Sequence, residues 1–397
     1  MEISYNDLKI QPLIYQDDIA RIADSVVNAQ KGNDTIENIM ESKLLDLNTD
    51  KSKYVIIASA KERSKFRREL EVTPLSLYGL PLKESKAEKY LGDLIHSEGN
   101  GASAAATVGE RAGKAVTHII EARAIIEDCR SNSVGALHAG LDIWNLAHIP
   151  ALIHNCESWS ELEDSTIDKL ERLQNMMFRV LLSVPKSCPT AALCWEFGAV
   201  KMKYRIIEKK LIFLNDIVTK SEGNLARQML MIQSKAKFPG LVTEGMKMIK
   251  DLKLPNPLES KIENKTWKKM VKEAVLKANE GELREEILKL KKLAKGEMSK
   301  EKFGVKEYIQ KLNLSEGRTK FQIRAKMVQC VKFNYRRDKS FANDLWKCNF
   351  CRKMDSQAHI LICGKYQSLR EGKNLKSDSD LAKYVQQVIK SRIEEEN

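Results

Sequence analysis

Apolar residues change their spacing along this chain, and each spacing predicts an element. Ile10, Leu13 and Ile14 precede a polar turn, and Ile19, Ile22 and Ala23 follow it, so residues 9–24 read as two short strands about a tight turn. From about Asp34 the period becomes helical: Ile36, Ile39, Met40, Lys43 and Leu44 fall at i, i+3, i+4, i+7 and i+8, with Asn33 or Asp34 able to cap the first turn. Lys53 to Ala58 is a β-branched and aromatic run, the composition of a strand. Residues 75–82 and 88–95 read as a further pair of strands.

Beyond residue 105 the pattern is helical. Val108, Ala112, Ala115, Ile119, Ala122 and Ile126 form one stripe. Ser165 and Asp168 resemble a capping box ahead of a buried face made by Ile167, Leu170, Leu173, Met177 and Val180, and Pro185 ends that helix. Ile207, Leu211, Leu214 and Val218 make another stripe. Pro239, Pro255 and Pro257 bracket a linker, and lysine-rich helical sequence fills 258–312. Trp144, Trp159, Trp195 and Trp267 read as core anchors. The pattern predicts an α+β chain that is mostly α.

The 397 residues suffice for two or three domains, and 43% hydrophobic residues exclude global disorder. No apolar run reaches the roughly 18–20 residues needed to cross a bilayer. The first ten residues lack the basic-then-apolar order of a signal peptide, so the expected compartment is cytoplasmic or nuclear, with no membrane partner. The net charge is +13, and residues 241–340 hold 26 Lys/Arg against 14 Asp/Glu, which places twelve of that excess there. A concentrated basic segment suits a polyanion, nucleic acid first, and equally describes a solvated helix face. Of the eight cysteines, Cys129, Cys156, Cys188, Cys194 and Cys330 are scattered, as free buried thiols are. Cys348, Cys351 and Cys363 are clustered.

The polar turn at the start carries Tyr15-Gln16-Asp17-Asp18. Neighbouring carboxylates repel, which favours a divalent cation or solvent between them. Mg2+ suits such a pair because it keeps coordination positions for phosphate and water. Two such ions about 4 Å apart can stabilise both the attacking and the leaving oxygen of a phosphoryl transfer. Asp-Asp at a turn is also ordinary turn chemistry.

In order along the chain, YQDD, ADSVVNAQKGNDTIENIMES, LNTDKSKYVII, EKYLGDLI, PALIHNCESW and KLERLQNMMFRVLLSVPKSCPTAALCWEFG resemble the reverse transcriptases of non-LTR retrotransposons, from about residue 8 to 235. The resemblance implies the end of a polymerase palm at 1–100, a helical thumb at 101–236, a basic helical linker at 237–340 and a zinc knuckle with a C-terminal helix at 341–397. It implies Asp17 and Asp18 as Mg2+ ligands in catalysis. Lys51 would be the general acid for the leaving pyrophosphate, with Lys53 a close rival. Tyr15, Gln16, Tyr90, Leu91 and Gly92 would lie at the primer strand, and Lys201, Lys203, Arg205, Lys209 and Lys210 would be thumb contacts to the duplex backbone. The family also needs a further palm aspartate and a nucleotide-selecting segment upstream. Fourteen residues precede Tyr15, with Asp7 the one aspartate among them. The expectation is therefore weak or lost Mg2+ binding and no DNA synthesis by this chain alone, an upstream polymerase half in a longer protein being a candidate partner.

Cys348, Cys351, His359 and Cys363 give C-x2-C-x7-H-x3-C. Thiolates and imidazole are the ligands of tetrahedral Zn2+; the close cysteine pair suits a turn and the His–Cys pair one face of a helix. Four protein ligands would make the site structural. Just upstream, Arg318, Lys320, Arg324, Lys326, Lys332, Arg336, Arg337 and Lys339 interleave with Phe321, Phe333 and Tyr335, which suits phosphates and bases of a single strand. The expected partners are RNA and DNA. Two other readings stay open: an adopted nucleic-acid-binding zinc-knuckle module without catalysis, and a helical protein-interaction scaffold.

Overall fold

Two-residue turns organise the first hundred residues. In the computed structural model, which describes residues 3–5, 8–10, 12–128, 133–236, 239–328, 347–348 and 350–396, Leu13–Tyr15 pairs antiparallel with Asp18–Ala20. Gln16 closes the loop with a left-handed φ of 54°. Ile10 lies not on this strand but in a separate hairpin, Ile3–Tyr5 with Leu8–Ile10. The segments 75–82 and 88–95 are each a complete hairpin rather than one strand: Ser76–Leu77 with Leu80–Pro81, and Ala87–Tyr90 with Asp93–His96. Both loop residues are left-handed in each, at Tyr78 and Gly79 and at Leu91 and Gly92. That sign pattern belongs to type I′ turns, whose twist matches the strands they join, and glycine at the second position makes it accessible.

The strand expected over Lys53 to Ala58 shrinks to Lys53–Tyr54, paired in parallel with Lys83–Glu84. The described strands thus form five two-stranded sheets, four of them antiparallel. Helix dominates the rest, as the α+β, mostly α reading requires. Among the described residues, no helix is long and apolar enough to cross a membrane.

The first helix, Val26–Ser42, starts well before Asp34 because Ser25 caps it, its Oγ accepting from the Asn28 amide. Gly32 leaves room on its surface for the Arg21 guanidinium, which donates to the carbonyl oxygens of Asn28 and Ala29 and to Asn33. Leu44, placed on the apolar face by its spacing, lies beyond the helix end and is 94% exposed. Ser59 and Glu62 form a true capping box for a helix at Ala60–Val72 that the apolar pattern did not reveal. Ser165, by contrast, lies inside the helix Asp164–Leu182, and its hydroxyl donates to Glu163.

The supposed linker carries core. Between Pro239 and Pro255 runs the helix Leu241–Asp251, with Val242 and Ile249 buried and Gly245 packed close to Leu214. Pro239 precedes that helix, where a missing N–H costs nothing. The lysine-rich helix Asn264–Lys289 buries Trp267, Val271, Val275, Leu283 and Ile287, and the Trp267 indole donates to the Leu211 carbonyl at 2.7 Å. Trp144, Trp159 and Trp195 are buried as expected.

The chain divides into two compact units: residues 1–112, 153–170 and 205–275 in one, and 113–152, 171–204 and 276–397 in the other. In the second unit, Arg324 is buried with its guanidinium on Glu196 (2.8 and 2.9 Å), Glu297 (2.8 Å) and Glu301 (2.6 and 2.9 Å). Burial opposes its charge, and the bonds to Glu301 and Glu196 outweigh that, so its pKa is raised. Glu196 is fully buried. Removing one member of such a pair leaves the other charge in a poor solvent. Arg324→Met should therefore cost about 3–5 kcal/mol, read by urea unfolding. Adding Glu196→Gln should recover part of that loss; no recovery would mean the guanidinium is not what satisfies Glu196.

Two carboxyls in this unit titrate low. The Arg324 guanidinium brings Glu301 to about 2, and Lys201, Lys203 and Tyr204 bring Glu282 to about 2 against the upward pull of burial. Both are depressed from 4.5, so their stabilisation is complete above that value and is lost as pH falls towards 2. An acid titration of the unfolding midpoint should show this loss, and Lys201→Met should flatten part of the slope.

Candidate metal centre

The four Cys/His residues converge. Their ligand atoms all lie within 4.8 Å of one another. Cys348 Sγ is 3.8 Å from Cys363 Sγ, Cys351 Sγ is 4.0 Å from Cys363 Sγ, and Cys351 Sγ is 3.4 Å from His359 Nε2. A tetrahedral ion with Zn–S of about 2.3 Å and Zn–N of about 2.0–2.1 Å requires S–S edges of about 3.8 Å and S–N edges of about 3.6 Å. The cluster can hold a metal ion, and these three distances are compatible with Zn2+.

Local structure delivers the ligands as their spacing suggests. Arg352 takes a left-handed φ of 57°, which turns the chain so that its amide donates to the Cys348 carbonyl at 2.8 Å and the Cys348 amide to the Lys353 carbonyl at 2.7 Å. Both thiols of the pair are thereby brought to one side of a tight loop. The short helix Gln357–Ile362 is capped by Ser356, whose Oγ accepts from the His359 amide at 3.1 Å. His359 sits in its first turn and Cys363 one turn later, its amide on the His359 carbonyl. Burial raises the Cys348 thiol, but the amides of Cys351 and Phe350 and the His359 ring outweigh it and leave that thiol acidified. A deprotonated sulfur is the form a metal needs.

A hydrophobic cluster supports the loop: Cys348, Ile360 and Cys363 pack with Ile323, Val328, Tyr366, Tyr384, Val385 and Val388. Arg392, on the C-terminal helix Asp378–Glu396, clamps Asp355 through two bonds of 2.9 Å and donates to the Tyr366 hydroxyl at 2.8 Å. Sequence spacing found the four ligands but not these supports, since nothing local to Asp355 names a partner 37 residues away.

The acidic turn looks different. Asp17 and Asp18 are exposed at the hairpin tip, with Tyr15 and Gln16 exposed beside them. Among the described residues no third His, Cys, Asp or Glu gathers with them into a metal site. Asp7 lies outside the described residues. Lys51 is exposed in a turn whose amide is held by Asn48 Oδ1 at 3.0 Å, and Lys53 pairs with Glu88 at 3.2 Å. The Tyr90-Leu91-Gly92 turn is braced from the PALIHNCESW segment: Asn155 donates to the Leu91 carbonyl at 3.3 Å. Arg111 joins the Gly92 carbonyl, Asp93 and the His154 carbonyl at 2.7–2.8 Å.

Several residues expected at nucleic acid are committed inside the protein. Arg324 is buried among three carboxylates, Lys320 is buried on Asp378 at 2.6 Å, and Arg318 donates to the carbonyls of Leu181 and Val180. Phe321 is core, not a stacking face. Lys210 is buried against Glu244, and Lys201 and Lys203 sit on Glu282. A phosphate would have to compete with these internal partners for the same side chains. Lys326 is exposed. Lys332, Phe333, Tyr335, Arg336, Arg337 and Lys339 lie outside the described residues. No protein-family model, curated protein or solved structure matches the chain.

The purified chain should carry one equivalent of zinc by elemental analysis, lost in Cys348→Ser. Chelation should expose Arg352 and Lys353 to trypsin. Metal-free protein with unchanged protease resistance would show that the hydrophobic cluster holds the knuckle unaided.

Proposed function

We propose that the chain is a zinc-stabilised nucleic-acid-binding part of a non-LTR retrotransposon reverse transcriptase lineage, comprising the end of a palm, a helical thumb, a basic helical segment and a knuckle. The observation that carries the reading is the closed Cys3His cluster at the end of a strongly basic chain, with the YQDD turn standing at the tip of a hairpin near its start. The ordered segments between them, from the palm helix to the thumb, support the same ancestry. The lineage's chemistry is RNA-directed DNA synthesis by two-metal nucleotidyl transfer, in which Asp17 and Asp18 would be Mg2+ ligands.

Binding is the better supported half of that function. Two exposed carboxylates with no third described ligand hold Mg2+ weakly. A four-ligand site needs nothing further to be complete. The observation favours a nucleic-acid-binding module over a self-sufficient polymerase, with RNA and DNA as partners. The basic positions free for phosphate include the exposed face of the helix Asn264–Lys289 at Lys265, Lys268 and Lys272.

Affinity for labelled RNA and DNA should fall linearly in log–log form with rising salt, as counterion release requires. Asp17→Ala and Asp18→Ala should leave it unchanged, and primer extension should be absent. Template-dependent extension abolished by Asp17→Ala would restore catalysis to the chain. Failure to bind any nucleic acid at low salt would point instead to the protein-interaction reading.

A further inference from the structure

The knuckle exposes apolar side chains that its own packing does not use. Phe350, Met354 and Ile362 are 65%, 71% and 72% exposed, while their neighbours Cys348, Ile360 and Cys363 are buried. Phe350 stands between two of the four metal ligands, Cys348 and Cys351, and its ring edge lies beside Gly364, next to the fourth. A ring on a loop fixed at both sides loses little further freedom when something packs on it.

Charge narrows what that something is. From Lys347 to Arg370 the one acidic residue is Asp355. It is buried, and both its oxygens are taken by Arg392. Arg352 and Lys353, two and three residues after the ring, are exposed cations. An exposed aromatic face with cations two and three residues along suits a base with its phosphates. A purely acidic protein surface would use the cations and leave the ring idle.

We propose that Phe350 stacks on an unpaired base of single-stranded nucleic acid while Arg352 and Lys353 neutralise the flanking phosphates. This rests on the nucleic-acid reading above and adds to it a contact residue and a preference for single strands. Duplex bases already stack on one another, so the ring adds nothing there.

The test uses the zinc-loaded full chain and fluorescence anisotropy with a labelled oligothymidine and a matched duplex. Phe350→Ala should weaken single-strand binding by about tenfold, leave duplex binding and zinc content unchanged, and keep the salt slope. Phe350→Trp should keep the affinity and show tryptophan quenching on binding. Arg352→Gln with Lys353→Gln should lower the salt slope by about one to two. The proposal is overturned if Phe350→Ala binds the single strand as the parent does, or weakens both ligands equally. Should Phe350→Ala lose its zinc, Phe350→Trp decides, and an unquenched tryptophan rejects the stack. If the parent binds neither ligand at low salt, the nucleic-acid reading fails and the stack with it; if the parent binds and only the stacking result is negative, the nucleic-acid reading stands.

Discussion

A guanidinium that leaves water must take its counter-charges with it, and Arg324 does so. It draws on carboxylates from two distant stretches, Glu196 on one side and Glu297 and Glu301 on the other. Three acids around one cation would be excessive if Lys306 did not also sit on Glu301. The cluster sits at the last residue of the helix Leu314–Arg324. The same helix supplies Ile323 to the hydrophobic cluster under the knuckle, and the Ile323 carbonyl accepts from Gln357 at 2.7 Å. One helix thus carries both a buried ion network and part of the floor beneath the Cys3His cluster.

This changes how the net charge of +13 should be read. Composition counts cations without asking whether they are spoken for. Lys201, Lys203, Lys210, Lys320, Arg324 and Arg392 are each bonded to a carboxylate within the chain. They build the fold, and replacing them would cost stability before it cost any affinity. Cations available to a polyanion are those on open faces, such as Lys265, Lys268 and Lys272 opposite the buried Trp267 and Val271, and Arg352 and Lys353 on the knuckle.

What was legible in the sequence follows the range of the interactions involved. The acidic hairpin and the Cys–His set are local patterns, a turn and an i, i+4 pair, and the structure brings each together. Helix boundaries were less legible where a cap competed with periodicity: Ser25 outranked Asn33 and Asp34 because a hydroxyl free to accept sits ahead of Val26, and Asn33 was needed to donate to Ser76. The hairpin at Tyr78-Gly79 was read as a strand because apolar residues run through its turn, and at Leu91-Gly92 the apolar pattern alone did not separate the two strands. The prolines at 239 and 255 suggested a linker, yet Val242, Ile249 and Trp267 are core residues whose partners lie far away in sequence. Long-range pairs such as Asp355 with Arg392 leave no local trace.

The two candidate metal positions differ in what the fold contributes. At the Cys3His cluster, backbone bonds, a helix cap and a hydrophobic floor bring four donor atoms together from one short stretch, so a metal bound there would add its binding energy to the folding of that stretch. At the YQDD turn, adjacent residues supply two carboxylates on a two-stranded hairpin that the described residues do not extend into a larger sheet. Repulsion between those carboxylates is relieved by solvent as readily as by an ion. A metal at the first position stabilises structure, whereas one at the second needs further oxygen ligands from a substrate phosphate or another segment. Metal binding at the first position would therefore carry no information about the second, because the two arrangements have separate physical origins within one chain.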